Sequence, residues 1–186
     1  VCLHGWRDWL VFLLLGALAI AAALAYTLGR RPYGYRALGE VAMFLSFGLL
    51  GVCGNVYLQT HTLPAPVLLP AAGSGLLAAN VLHINNIRDL SSDLAAGKHT
   101  LANKLGFSGS LKMHRVLLLA GLACYVLYVV LAWQSVLWLL ALPMILRHAR
   151  RVAAGRNEAE AGAELGAAVM LHFVVNALFA IGVLLT

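Results

Sequence analysis

Asp89 and Asp93 stand four residues apart in the run NNIRDLSSDLAAGKHTLANKLG, residues 85–106, and are the only acids between Glu40 and Glu158. On a helix, side chains at i and i+4 are neighbours with Cβ atoms ~5–6 Å apart. The spacing therefore predicts two carboxylates on one side of one helical turn. Such a pair suits Mg2+, a hard cation that keeps several waters and takes one or two carboxylates together with substrate phosphate oxygens. Asn85 and Asn86 add polar groups one turn earlier, and Arg88, Lys98 and His99 supply donors for phosphate charge. The planar guanidinium of Arg88 is suited to paired contacts with phosphate oxygens. Spacing alone leaves a plainer alternative open, a solvated interfacial loop in which Ser92 or Asp93 caps a helix.

A second candidate is the segment YTLGRRPYGYR, residues 26–36. Gly29 and Gly34 permit close turns. Tyr26, Tyr33 and Tyr35 offer hydroxyls, and Arg30 and Arg31 could hold phosphate. The same composition equally describes a membrane-surface anchor, where Tyr and Arg gather without any ligand.

The elements that must position these residues are membrane helices. Of the 186 residues, 62% are hydrophobic and 11% charged, and the mean hydropathy is +0.87. A soluble domain is roughly 25% charged. Apolar runs near the ~20 residues needed to cross hydrocarbon recur along the chain. The reading is an all-α, polytopic transmembrane bundle forming one domain over residues 1–186. Six spans are predicted, over about 9–27, 40–60, 65–84, 113–132, 135–149 and 164–185. The fifth is short and contains Pro143. Small residues inside spans, among them Gly48, Gly51, Gly54, Gly73 and Gly75, would let helices approach closely.

Six spans place twelve of the thirteen Lys and Arg residues on one side. Arg30, Arg31 and Arg36 follow the first span. Arg88, Lys98, Lys104, Lys112 and Arg115 follow the third, and Arg147, Arg150, Arg151 and Arg156 follow the fifth. The positive-inside rule makes that side cytoplasmic, which puts the aspartate pair there too. The net charge of +6 thus reads as topology, and no nucleic-acid partner is expected. Cys2, Cys53 and Cys124 lack metal-ligand spacing and read as free thiols. His83, near the end of the third span, is a weaker functional candidate, since polar residues inside spans are functional-site hypotheses by default, and the His172–Asn176 pair on one helix face reads as interhelical hydrogen-bonding groups. No Gly-rich phosphate loop, His/Cys metal cluster or serine nucleophile motif occurs. The chain opens at Val1 without a signal-peptide pattern, and the expectation is a piece of a longer protein.

Residues 85–106 resemble the second aspartate-rich motif of the UbiA-type intramembrane prenyltransferases. Within that family they are most similar to the menaquinone-pathway branch, which has a run of the form NNxRDxxxDxxxGKxTLAxxxG. The first loop, with Leu38-Gly39-Glu40 and the run FGLLGVCG at 47–54, resembles the same branch. The resemblance covers most of the chain. It implies nine helices around a central cavity, of which these six match the last six. The first three helices and the other aspartate motif would be missing, so the 186 residues alone are expected to be inactive. Two positions depart from the family pattern: Leu94 stands where Arg is frequent, and Leu28 where Gly is usual.

The resemblance further implies roles. Asp89 and Asp93 would be the catalytic metal ligands, holding Mg2+ against the diphosphate of a polyprenyl donor. Asn85, Asn86, Arg88, Lys98, Tyr26, Arg30 and Arg31 would bind that diphosphate. The implied reaction is Mg2+-dependent transfer of the polyprenyl group to 1,4-dihydroxy-2-naphthoate in menaquinone biosynthesis, in the cell membrane. Two alternatives stay open. One is another acceptor (4-hydroxybenzoate, homogentisate, haem or chlorophyllide). The other is a cation-coupled transporter or structural membrane subunit. Prenyl chain length and oligomeric state are not encoded legibly.

Overall fold

In hydrocarbon a chain can satisfy its backbone N–H and C=O groups only within itself, so each long apolar run folds as helix. The computed structural model describes residues 5–29, 32–132 and 135–185, the Arg7 side chain excepted. Helix α1 covers Trp6–Thr27. The second pass is composite: α2 (Gly39–Met43), a ten-residue π-helix (Phe44–Cys53) and α3 (Gly54–Thr60). A 3-10 turn over Ala65–Val67 leads into α4, Leu68–Arg88. Next come α5 (Leu90–Ala95) and α6 (Leu101–Ala132), the latter broken at Gly106, where φ is 67°. A 3-10 segment over Val136–Ala141 runs into α7 (Leu142–Ala154), followed by α8 (Glu158–Gly162) and α9 (Leu165–Leu184). The only β pairing among the described residues is an isolated bridge between Arg36 and His99.

Among the described residues five helical passes are long and apolar enough to cross a bilayer, and the protein is a multi-pass membrane protein. The predicted fifth span is the exception. In its place stand six residues of 3-10 helix and thirteen of α-helix. Pro143, which has no N–H to donate, sits in the first turn of α7 and sets where the α-helix can begin. Arg147, Arg150 and Arg151 then end the apolar stretch. The segment nevertheless makes a full return pass. At one end the Ser135 hydroxyl donates to the Phe179 carbonyl of α9. Midway the Trp138 ring lies 5.9 Å from that of Tyr125 of α6. At the other end His148 meets Glu164, just before α9, at 3.2 Å and the His114 ring of α6 at 5.1 Å. The segment is therefore antiparallel to both α6 and α9, and the alternation of passes expected from the charge count survives. The basic residues of α7 and of the start of α6 gather at the end of the bundle where α4 terminates.

Helix α4 is the axis of the bundle, packing against α2, the π-helix, α6, α8 and α9. Twelve of its 21 residues are buried, whereas the apolar window of α1 buries none. Its small residues make this possible. A Cβ on Gly75 would lie 2.7 Å from the Phe44 carbonyl oxygen, and one on Gly48 2.6 Å from that of Ala71. The π-helix and α4 thus cross backbone to backbone. On the other side the Tyr125 hydroxyl donates to Asn176 Oδ1 at 2.8 Å, and Asn176 Nδ2 donates to the His172 carbonyl at 2.8 Å. Ser74 Oγ lies 3.4 Å from His172 Nε2. His172 and Asn176 are the interhelical groups the sequence suggested. Cys53 and Cys124 are free thiols, and Cys2 lies outside the described residues.

The tight crossing makes a prediction. Gly75→Ala should destabilise the protein by about 1–3 kcal/mol through overpacking, read as a lower thermal midpoint in detergent. Gly16→Ala, where an added Cβ meets no atom within 4 Å, should leave the midpoint in place. Equal midpoints for the two variants would contradict the close crossing.

Candidate functional site

The last turn of α4 delivers the aspartate pair. Asp89 departs from helical geometry at φ −97° and ψ 13°, which separates α4 from α5. The last i to i−4 bond of α4 and the first of α5 meet at this residue. The Asp89 N–H donates to the Asn85 carbonyl at 3.0 Å and the Asp93 N–H to the Asp89 carbonyl at 2.7 Å. The one-turn adjacency read from the spacing therefore holds although the helix is not continuous. Helix α5 is tied down from two sides. The Ser91 hydroxyl donates to Glu158 at 2.7 Å, and Asn103 Nδ2 donates to the Leu90 carbonyl at 2.7 Å. The chain then turns at Gly97 (φ 70°), and the Lys98 N–H returns to the Asp93 carbonyl at 2.8 Å. Thr100 and Asn103 start α6 by capping each other's N–H groups, at 3.3 and 3.0 Å, a reciprocal arrangement that satisfies two otherwise orphaned donors.

Each acid faces a cation. Arg88 donates from Nε to Asp89 Oδ1 at 2.7 Å and from Nη2 to Oδ2 at 2.8 Å, and also reaches Asn85 Oδ1 at 2.9 Å. Asn85 Nδ2 completes this group by donating to Asp89 Oδ2 at 3.3 Å. The Arg88 hydrogen bonds hold the Asp89 carboxyl below its usual value of 3.8. Lys98 Nζ lies 3.2 and 3.0 Å from the two oxygens of Asp93, whose side chain is 13% exposed against 29% for Asp89. Tyr26, at the end of α1, lies within electrostatic range of Lys98, Glu40 and Asp93. The structure thus assembles Tyr26, Asn85, Arg88, Asp89, Asp93 and Lys98 at one end of the bundle.

The first loop is docked onto this group. The Tyr35 carbonyl accepts from the His99 N–H at 3.2 Å, which is the Arg36–His99 bridge. The rings of Tyr26 and Tyr33 meet edge to face at 5.4 Å, and the Tyr33 hydroxyl donates to the Ala22 carbonyl at 2.7 Å. Gly34 has no room for a Cβ, which would fall 2.7 Å from the Tyr26 carbonyl oxygen. Leu28 stands where glycine is usual, yet φ there is −98° and the left-handed position is taken by Gly29 at φ 100°. That departure costs no strain. Leu94, in place of a frequent Arg, is 54% exposed. Arg30 and Arg31 lie outside the described residues.

Asn86 turns away from the aspartates. It is 2% exposed and donates through Nδ2 to Glu40 Oε1 at 3.1 Å. Glu40 is itself 5% exposed and lies 2.8 Å from His83 Nδ1. The sequence reading did not assign Glu40 to the site. The available signal was an acid opening an apolar span, since ionisable residues inside a membrane pass are functional-site candidates by default. The Ser91–Glu158 tie joins residues 67 apart and carried no sequence signal.

Apolar space lies beside the polar end. A cavity of about 350 Å³ is lined by Tyr26, Tyr33, Met43, Ser46 and Phe47 among others. It adjoins one of about 500 Å³ between α1 and the second pass, with Leu15, Leu18, Leu38, Val41 and Leu50 in its wall. Among the described residues no cluster of three or more His, Cys, Asp or Glu is placed to hold a metal. The hard oxygens of Asp89 and Asp93 fit Mg2+ held jointly with a substrate phosphate, because that ion takes one or two carboxylates and fills its other positions with phosphate oxygens and water.

Comparison with known proteins points the same way. The UbiA prenyltransferase family model matches residues 2–175. A 1,4-dihydroxy-2-naphthoate octaprenyltransferase of Haemophilus influenzae is 42% identical over 96% of this chain and 59% of its own length. One of Escherichia coli is 40% identical over 100% of this chain and 61% of its own. A 2-carboxy-1,4-naphthoquinone phytyltransferase of Synechocystis is 32% identical over 95% of the chain and 59% of that protein. The chain thus spans about three fifths of the length of these relatives. No solved structure matches it.

The Arg88–Asp89 contact predicts a pH response. A carboxyl held below its ordinary value contributes stability that is fully present above that value and is lost as pH falls through the lower, folded one. Carbon-13 titration of the Asp carboxyls in micelles should place the Asp89 midpoint below 3.8. Arg88→Gln should raise it toward about 3.9. An unmoved midpoint would show that Arg88 is not the cause.

Proposed function

Since the chain belongs to the UbiA prenyltransferase family, we propose that the full-length protein transfers a polyprenyl group from polyprenyl diphosphate to 1,4-dihydroxy-2-naphthoate. The observation that carries this reading is the juxtaposition at the end of α4. Two carboxylates with Arg88, Lys98 and Tyr26 beside them adjoin an apolar cavity between α1 and the second pass. A diphosphate with a long isoprenoid tail needs both environments side by side. The names of the relatives, at 40–42% identity, favour the naphthoate over other aromatic acceptors.

In this reading Asp89 and Asp93 would hold Mg2+, which when bound would supply positive charge toward the diphosphate leaving group. Lys98 and Arg88, with Arg30 and Arg31 of the first loop, bind phosphate oxygens, and Tyr26 donates to them. Preorganised cations aimed at developing charge act most strongly where water is excluded. The apolar walls around Leu38, Val41 and Leu50 take the tail and shield the allylic cation from water. The electron-rich ring then forms the new C–C bond, and its carboxylate leaves as CO2. The product is the reduced form of demethylmenaquinone. The basic end faces the cytoplasm by the positive-inside rule, in the cell membrane.

The test is an assay of the full-length protein in membranes with Mg2+, a polyprenyl diphosphate and 1,4-dihydroxy-2-naphthoate. Wild type should give prenylated product, and Asp89→Ala should lose about 100-fold or more. Product from 4-hydroxybenzoate and none from the naphthoate would reassign the acceptor. Wild-type turnover unchanged in Asp89→Ala would remove the aspartate from the chemistry.

A further inference from the structure

Beneath the aspartate motif lies a buried polar cluster that joins three elements. Glu40 at the head of α2 accepts from Asn86 Nδ2 at 3.1 Å and meets His83 Nδ1 at 2.8 Å. The other ring nitrogen of His83 lies 3.1 Å from the Ser110 carbonyl oxygen of α6. His83 and Ser110 are 0% exposed, Asn86 2% and Glu40 5%. A carbonyl oxygen only accepts, so His83 Nε2 carries a proton. A bare Nδ1 lone pair 2.8 Å from a carboxylate oxygen would be repulsive, so a second proton lies between Nδ1 and Glu40 Oε1. The cluster is thus an ionic or shared-proton clamp inside an apolar bundle.

The position of this clamp separates it from ordinary core bonding. His83 and Asn86 belong to the same final turns of α4 as Asn85, Arg88 and Asp89. Glu40 follows directly on the first loop, whose residues Tyr35 and Arg36 pair with His99. Gly39 packs against α4 so closely that a Cβ there would lie 3.0 Å from Leu82 and 3.5 Å from the Tyr26 hydroxyl. The clamp therefore fixes the first loop and Tyr26 relative to the aspartate pair. It is also not saturated: Glu40 Oε2 and Asn86 Oδ1 are buried without a hydrogen-bond partner among the described residues. A buried network kept for stability alone is expected to be fully satisfied, because a half-satisfied one is worse than an apolar core.

We propose that Glu40 and His83 are positioning residues, which hold the first loop and the end of α4 in the arrangement that binds the prenyl diphosphate. This rests on the reading of the site given above. If the clamp is loosened, only a fraction of molecules has the loop and the motif in register. The apparent affinity then falls by that fraction, while the bound complex is unchanged. The loss belongs in KM for the prenyl diphosphate and not in kcat.

The experiment uses the full-length protein in membranes and in detergent, with wild type, Glu40→Gln and Glu40→Asp. Glu40→Gln keeps the shape and removes the carboxylate. It should accumulate normally, raise KM for polyprenyl diphosphate about tenfold or more and leave kcat within about threefold. Its thermal stabilisation by Mg2+ plus polyprenyl diphosphate should shrink in parallel. Glu40→Asp, which restores the carboxylate, should recover most of both. An unchanged KM in Glu40→Gln, or a loss confined to kcat, would overturn the proposal. So would failure of both variants to accumulate, which would make the clamp a requirement of folding. A wild type that shows the ligand-induced stabilisation but no turnover would instead sink the acceptor assignment, and the thermal shift would still decide the clamp.

Discussion

Everything at the functional end depends on burying one helix. With no hydrophobic drive between helices in lipid, association rests on close van der Waals packing and on satisfied polar groups. Helix α4 draws on both, although Asn80 Oδ1 and Asn86 Oδ1 have no hydrogen-bond partner among the described residues. Gly73 and Gly75 bring it against Tyr125 and the π-helix backbone, while Asn86 and His83 find partners on neighbouring passes. A helix held on so many sides has little freedom to slide or rotate, so the residues at its end occupy defined positions. The acids could not be placed as well on α1, whose apolar window is unburied.

The second consequence is electrostatic. Carboxylates at the edge of hydrocarbon are costly unless paired, and each acid has a cation at hydrogen-bonding distance, Arg88 for Asp89 and Lys98 for Asp93. In the proposed reading these are the cations that a diphosphate needs. Ligand binding would then exchange ion-pair partners at nearly constant local charge. Lys98 sits on the stretch that pairs with the first loop through His99, so the loop and the cation are positioned together.

Much of this was legible in the sequence because membrane physics is written in composition. Runs of apolar residues located the passes, and one-sided Lys and Arg gave their alternation, which the antiparallel course of residues 135–154 preserves despite its 3-10 start. The Asp89–Asp93 spacing carried over because Asp89 opens α5 and its carbonyl accepts from the Asp93 N–H one turn on. What stayed hidden depends on tertiary placement. The π-helix at Phe44–Cys53 has the same apolar composition as an α-helix. Glu40 has no partner near it in the sequence, and it joins His83 and Asn86 only once α4 is placed against α2. Asn86 looked equivalent to Asn85, but one residue of helix rotation sends it to Glu40 and not to the aspartates.

The central claim, that Asp89 and Asp93 share a divalent cation with a substrate diphosphate, is tested most directly by electron paramagnetic resonance. Mn2+, which suits the same oxygen ligands as Mg2+, would be bound to the full-length protein with a non-reactive prenyl thiodiphosphate. The account predicts a phosphorus-31 hyperfine coupling to the bound ion that is lost or strongly reduced in both Asp89→Asn and Asp93→Asn. The same coupling at full strength in both variants would place the metal elsewhere and contradict the account.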